Sequence, residues 1–158
     1  MPVSREIAES NRVQRARLTN LVRNLADAAL RTRLPNGWTV AGALGHLAFW
    51  DRQRLCLIRR WAAGDIRTGA YDSDVFNDAV QPLLEMIPPE QVAAAAVKAA
   101  DEIDALLLEL PDQMIEAALA RPDAPHVDRG EHRRHHLDRI EEALGGERGV
   151  ASRSESTR

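Results

Sequence analysis

Between Thr39 and Gly64 the chain carries an unusually broad apolar surface at helical spacing. Val40, Leu44, Leu47, Ile58 and Ala62 fall within one narrow stripe at about 3.6 residues per turn, and Ala43, Trp50, Leu57 and Trp61 form a second stripe beside it. A surface helix needs only one such stripe. A helix apolar over so wide an arc has neighbours on several sides, which makes it the central member of a helical bundle. Thr39 is its expected N-cap, and Gly64-Asp65 stop it after about Ala63. His46 sits at the edge of the second stripe, one turn before Trp50.

The rest of the chain supplies partners for this helix. Ile7, Leu18, Leu21, Val22, Leu25 and Ala29 recur at helical spacing from about Ser4, the expected N-cap, to Leu30. Leu34-Pro35-Asn36-Gly37 then forces a turn. Asp72-Ser73-Asp74 caps a shorter helix through Leu84, which Pro82 should kink or split. Pro88-Pro89-Glu90 opens a helix to about Leu110, where Pro111 ends it, and residues 112–120 have room for a helical turn or two. Residues 121–125 read as a loop. Asp128 caps a last helix from about Arg129 to Leu144, with Gly145-Gly146 as its stop. No strand-like alternation and no repeat stands out. The expectation is an all-α fold: a four-helix bundle with one or two short extra helices, in one domain over residues 1–146. Residues 147–158, rich in Ser, Arg and Glu without periodicity, are expected to be a disordered tail.

With 158 residues the chain fits one domain. The formal net charge is -3, which gives no footprint for a nucleic-acid partner. Lys98 is the only lysine, so the basic residues are nearly all Arg, and they read as scattered solvated charge. Cys56 is the single cysteine, which forbids an intrachain disulfide and suits a reducing cytoplasm. The opening MPVSREIAESNR has no apolar stretch, and no run approaches a membrane span, so a cytoplasmic protein is expected.

Four of the five histidines lie between His126 and His136. His132 and His136 are four residues apart on a capped helix, which puts their Cβ atoms about 5–6 Å apart on one face. Two such rings can converge on one ion at about 2.0–2.1 Å from each nitrogen. A third ligand must come from another helix, and His46 is the remaining histidine on one. Three protein ligands leave a coordination position open, the arrangement of a catalytic metal. Imidazole suits Zn, Ni, Fe or Cu alike. The competing reading is a solvated polar face at Glu131-His132-Arg133-Arg134-His135-His136 and a satisfied core histidine at His46. His135, about a sixth of a turn from His132, is a substitute ligand or a supporting group, and His126 reads as a loop residue.

Two motifs add a resemblance. Gly37-Trp38-Thr39-Val40, His46-Leu47-Ala48 and Trp50-Asp51 together resemble the signature that opens the second helix of the DinB-like superfamily, which also holds YfiT-like and mycothiol-dependent maleylpyruvate isomerase-like proteins. His132-x-x-x-His136, followed by Asp138 and Ile140, is similar to that superfamily's last bundle helix. The resemblance covers about residues 5–145. It implies a four-helix bundle with up-down-down-up arrangement, and a divalent metal (zinc first, nickel as the alternative) held by His46, His132 and His136. It also implies a homodimer. Many members look like transferases of low-molecular-weight thiols. The Arg- and Ala-rich composition, which resembles actinobacterial proteins, favours mycothiol as the co-substrate. At 158 residues the chain is expected to lack the C-terminal domain of the isomerases proper, so maleylpyruvate is not the expected substrate.

The expected activity is therefore transfer of a thiol, activated at a three-histidine metal, to a small electrophile or toxic metabolite. The alternative is a non-catalytic small-molecule-binding, resistance or stress-response protein of the same fold. Asp51 or Glu131 is the expected acceptor for the outer N–H of a ligand histidine. Trp38, Trp50 and Tyr71 are candidate pocket walls, with bundle core as the competing reading for the tryptophans. Arg52 and Arg54 read as solvated surface cations, with an anionic thiol as the alternative ligand. Cys56 lies ten residues beyond His46, about 15 Å along the helix axis, and reads as a small buried residue rather than a nucleophile.

Overall fold

The first turn after the opening helix shows how locally the chain is specified. Gly37 takes φ +87°, a conformation that only glycine adopts without strain, and lets Leu34 N–H bond Trp38 O at 2.7 Å. Thr39 then caps the next helix, its hydroxyl accepting from Gly42 N–H at 2.9 Å. The computed structural model describes residues 3–65, 71–121 and 126–155, with side chains described from 5 to 145 within these ranges.

Among the described residues there are seven helices and no strand: α1 (Val3–Asn24), α2 (Asp27–Leu30), α3 (Val40–Ala62), α4 (Ser73–Leu84), α5 (Pro89–Glu109), α6 (Asp112–Leu119) and α7 (Arg129–Glu155). The long helices α1, α3, α5 and α7 form the bundle. α3 packs most extensively on α5 and also on α7, while α1 packs on α7 and α5. Each long helix thus has two of the others as neighbours, and α1 stands across the diagonal from α3. No described helix is long and apolar enough to cross a membrane.

The core has two parts. One gathers Leu18, Val40, Leu44, Leu47, Ala96, Ala100, Leu137 and Ile140. The other gathers Leu55, Ile58, Ile103, Leu107, Ile115 and Val127. Between them on α3 lies Asp51, and between them on α7 lies Arg133, both fully buried.

Several expected boundaries move. The first helix does not run to Leu30. It ends at Asn24, whose side-chain amide turns back to Asn20 O, and Ala26 is extended at ψ 153° before α2 begins. Ser4 lies inside α1 rather than capping it. Pro82 does not split α4, because it sits close to the C-terminal end and removes a single backbone donor there. Gly145-Gly146 do not stop α7, which continues to Glu155, through residues expected to be disordered. A glycine ends a helix when it takes a positive φ, as Gly64 does at +87° after α3; among the described glycines only Gly37 and Gly64 do so. At Gly64 the stop is complete: Gly64 N–H bonds Trp61 O and Asp65 N–H bonds Arg60 O, both at 2.9 Å. Of the expected loop at 121–125, residues 122–125 lie outside the described residues.

Candidate metal centre

α3 places His46, Trp50 and Arg54 at four-residue intervals on one face, and α7 presents His132 and His136 one turn apart. The two helices bring the three imidazoles together. His46 Nε2 and His132 Nε2 are 3.2 Å apart. The ring centroids lie 5.2 Å (His46–His132), 4.4 Å (His46–His136) and 4.9 Å (His132–His136) apart. Each ring offers a nitrogen such that all three lie within 4.8 Å of one another. Two ligands at about 2.0–2.1 Å from a tetrahedral ion stand roughly 3.3 Å apart, so the separations are of the right order.

The protonation state also fits. Burial pushes His46 down to about 4, with a contact to Asn77 opposing it. Burial, then the positive charge of Arg129, pushes His132 down to about 2, and burial pushes His136 down to about 3. All three are neutral at neutral pH, the form in which imidazole binds a metal.

The surroundings differ from the expected pattern. Neither Asp51 nor Glu131 accepts from a ligand histidine. Asp51 is engaged by two guanidiniums, and Glu131 is exposed, its backbone N–H bonded to the α7 cap Asp128 at 3.0 Å. The group at His132 Nδ1 is a donor instead: the Arg129 guanidinium, at 2.8 Å. A guanidinium can only donate, so His132 Nδ1 accepts in this contact, and a neutral His132 then carries its hydrogen on Nε2. Coordination through Nε2 therefore requires His132 to lose or move that proton.

Arg129 belongs to a buried ionic layer that the scattered-charge reading missed. Asp51 Oδ1 accepts from Arg129 Nε at 2.8 Å, and Asp51 Oδ2 accepts from Arg133 Nε and a terminal nitrogen at 3.1 and 3.0 Å. Arg133 also donates to both oxygens of Asp104, at 3.0 and 2.9 Å. Burial alone would lower the pKa of Arg133, but Asp51 and Asp104 more than offset it and hold it charged. Asn11 of α1 ties this layer to the start of α7, accepting from the N–H groups of Arg129 and Gly130 at 2.8 and 2.7 Å and donating to Val127 O at 3.1 Å. The spacing held a signal: Leu137, Ile140 and Leu144 define the inner face of α7, and stepping back four residues at a time from Leu137 reaches Arg133 and Arg129.

His46 and His132 open onto a cleft of about 680 Å³, whose walls also include Trp50, Tyr71, Asn77, His126 and Arg54. Two of the three aromatic candidates therefore line it. Trp50 is nearly buried, its indole N–H bonded to Asn77 Oδ1 at 2.9 Å, and Tyr71 is partly exposed. Trp38 does not line the cleft; it packs against His46 from the core side, at 5.1 Å between ring centroids. His135 and His126 sit on the cleft wall, outside the three-ring group. The two arginines after Trp50 separate: Arg52 pairs with Glu102 at the surface, while Arg54 is buried, contrary to the solvated reading. Cys56 is exposed rather than buried, because it shares the outer face of α3 with Arg52, Arg59 and Arg60.

A family model described as the DinB superfamily matches residues 11–140, which span α1 through the histidine pair of α7. No curated protein and no solved structure matches the chain.

Proposed function

The chain belongs to the DinB superfamily, and on that premise we propose that it is a metal-dependent transferase that joins a low-molecular-weight thiol of the mycothiol type to a small electrophile. One observation carries this reading: three neutral imidazoles from two helices, one buried and two half-buried, converge beside a cleft large enough for a small molecule. A divalent ion bound there, zinc first and nickel second, would supply positive charge that lowers the pKa of a thiol or water. His46, His132 and His136 would hold it, and three protein ligands leave a position open for the thiol. Trp50 and Tyr71 present flat apolar surface to the electrophile. The layer of Asp51, Arg129 and Arg133 fixes the start of α7, and with it the position of the histidine pair.

Metal content and turnover test this directly. Untagged protein should retain a stoichiometric divalent metal, and His46→Ala and His136→Ala should each bind it less tightly. The loaded protein should accelerate the reaction of mycothiol with monobromobimane over the metal-free protein. Protein that neither retains metal nor takes it up on addition of zinc or nickel sinks the reading.

A second reading, a non-catalytic small-molecule-binding or stress-response protein, is favoured by the Arg129 contact: a donor occupies the histidine nitrogen where a metal site ordinarily has an acceptor. Binding of small molecules without any thiol transfer, across several thiols, would support it.

A further inference from the structure

The cleft contains a buried cation with no carboxylate partner among the described residues. Arg54 stands eight residues beyond His46 on α3, lines the cleft and is only 7% exposed. Its Cζ lies 5.5 Å from the Trp50 ring centroid and 5.7 Å from that of Tyr71, so the guanidinium rests against two aromatic rings. A terminal nitrogen donates to Tyr71 Oη at 2.6 Å. Its Nε–H is buried with no hydrogen-bond partner among the described residues. The other two buried arginines each have carboxylate partners, Arg129 in Asp51 and Arg133 in Asp51 and Asp104. Arg54 has no such carboxylate among the described residues.

A buried guanidinium lacking a carboxylate is unfavourable. Stacking on two rings recovers part of the loss. The remainder is recovered when an anion enters the cleft. The acidic side chains of the wall do not fill that role: Asp128 caps α7 and Glu131 is exposed to solvent. The other cations of the wall are already paired, Arg129 with Asp51 and Arg134 with Asp138, which leaves Arg54 as the wall's arginine without a carboxylate among the described residues. The planar fork of one guanidinium, set beside two flat rings, suits a single planar anionic group.

We propose that Arg54 is the carboxylate-binding residue of this cleft, and that the small molecule taken up beside the three histidines carries a carboxylate seated on Arg54 with its apolar part against Trp50 and Tyr71. Along α3 the backbones of His46 and Arg54 are about 12 Å apart, and the Arg54 side chain leans back toward Trp50, so a small molecule bridges the two. This rests on the cleft being a small-molecule site, as in the reading above, but not on the metal or on turnover.

The test uses metal-free protein, in which no ion can hold the carboxylate. Cyclohexanecarboxylate and cyclohexanecarboxamide, alike in size and differing in charge, are titrated at constant ionic strength while the Trp50 indole N–H is followed by NMR. The acid should shift that signal saturably and bind about tenfold more tightly than the amide, the scale of a hydrogen bond to a charged group. Arg54→Gln should abolish the preference for the acid, and Arg54→Lys should retain part of it. Equal binding of acid and amide by the wild-type protein, a comparison that needs no variant, overturns the proposal. So does an unchanged preference in Arg54→Gln. The two readings fail separately. Stoichiometric metal with no acid preference removes only the role of Arg54. An Arg54-dependent acid preference in a protein that takes up no metal removes only the metal-dependent transferase.

Discussion

Asp51 is bonded by two guanidiniums at once, and neither oxygen is left over. Removing its charge leaves Arg129 with no ionic partner and Arg133 with Asp104 alone among the described residues. Breaking a fully buried pair in this way is expected to destabilise by about 3–5 kcal/mol, so Asp51→Ala should lower the urea midpoint sharply, whereas Arg52→Ala, at the exposed pair with Glu102, should shift it by no more than about 1 kcal/mol. The histidines make a second prediction at this scale. Their pKa values in the folded protein lie below the ordinary 6.5, at about 4 for His46 and lower still for His132 and His136. As pH falls below 6.5 the unfolded chain takes up protons that the folded metal-free protein refuses. Stability present above pH 6.5 is therefore lost as the pH falls toward 4. Thermal melts of metal-free protein should show Tm declining through this window, and the decline should be shallower when His46→Gln, His132→Gln and His136→Gln are combined. Equal slopes in the two proteins would contradict the burial of neutral imidazoles.

Glycine separates two kinds of position on α7. A Cβ at Gly130 would meet Ser10 Oγ at 2.2 Å and the Ser10 backbone carbonyl carbon at 2.7 Å, so α1 must move to admit it. Gly130→Ala should destabilise by about 1–3 kcal/mol through this overpacking. Gly145 has nothing within 4 Å of its would-be Cβ and lies inside the helix, so Gly145→Ala should stabilise by about 0.5–1 kcal/mol. Tm values for the two variants check both signs. At the start of α3, Thr39→Ala should remove about 1 kcal/mol with its cap bond. These contrasts also show why some element ends were readable and others were not. Thr39, Gly64, Pro89 and Pro111 act through their own backbone or the adjacent turn, and the structure uses each as the sequence suggests. Gly145-Gly146 look like the same signal, but a glycine that keeps a negative φ ends nothing, and its φ is not written in the residue type.

For the molecule as a whole, the three-histidine group was legible because two of its members share one helix at fixed spacing and the third lies on the broad apolar face of α3. The cleft was half legible: Trp50 and Tyr71 line it, and Trp38 belongs to the core. The buried ionic layer was not read, because Arg129, Arg133, Asp51 and Asp104 come from three helices and each looks like ordinary surface charge until the helices are packed. Their positions on the inner faces of α3, α5 and α7 are the trace they leave in the sequence. The layer separates the two parts of the apolar core and sits directly against His132, so the chemistry of the site and the stability of the bundle share residues. The central claim is that His46, His132 and His136 bind one divalent ion. The most direct measurement is the zinc-edge X-ray absorption spectrum of the zinc-loaded protein, which should show three imidazole ligands at about 2.0–2.1 Å and one imidazole fewer in His46→Ala. A spectrum dominated by other ligands, or one unchanged by His46→Ala, would contradict it.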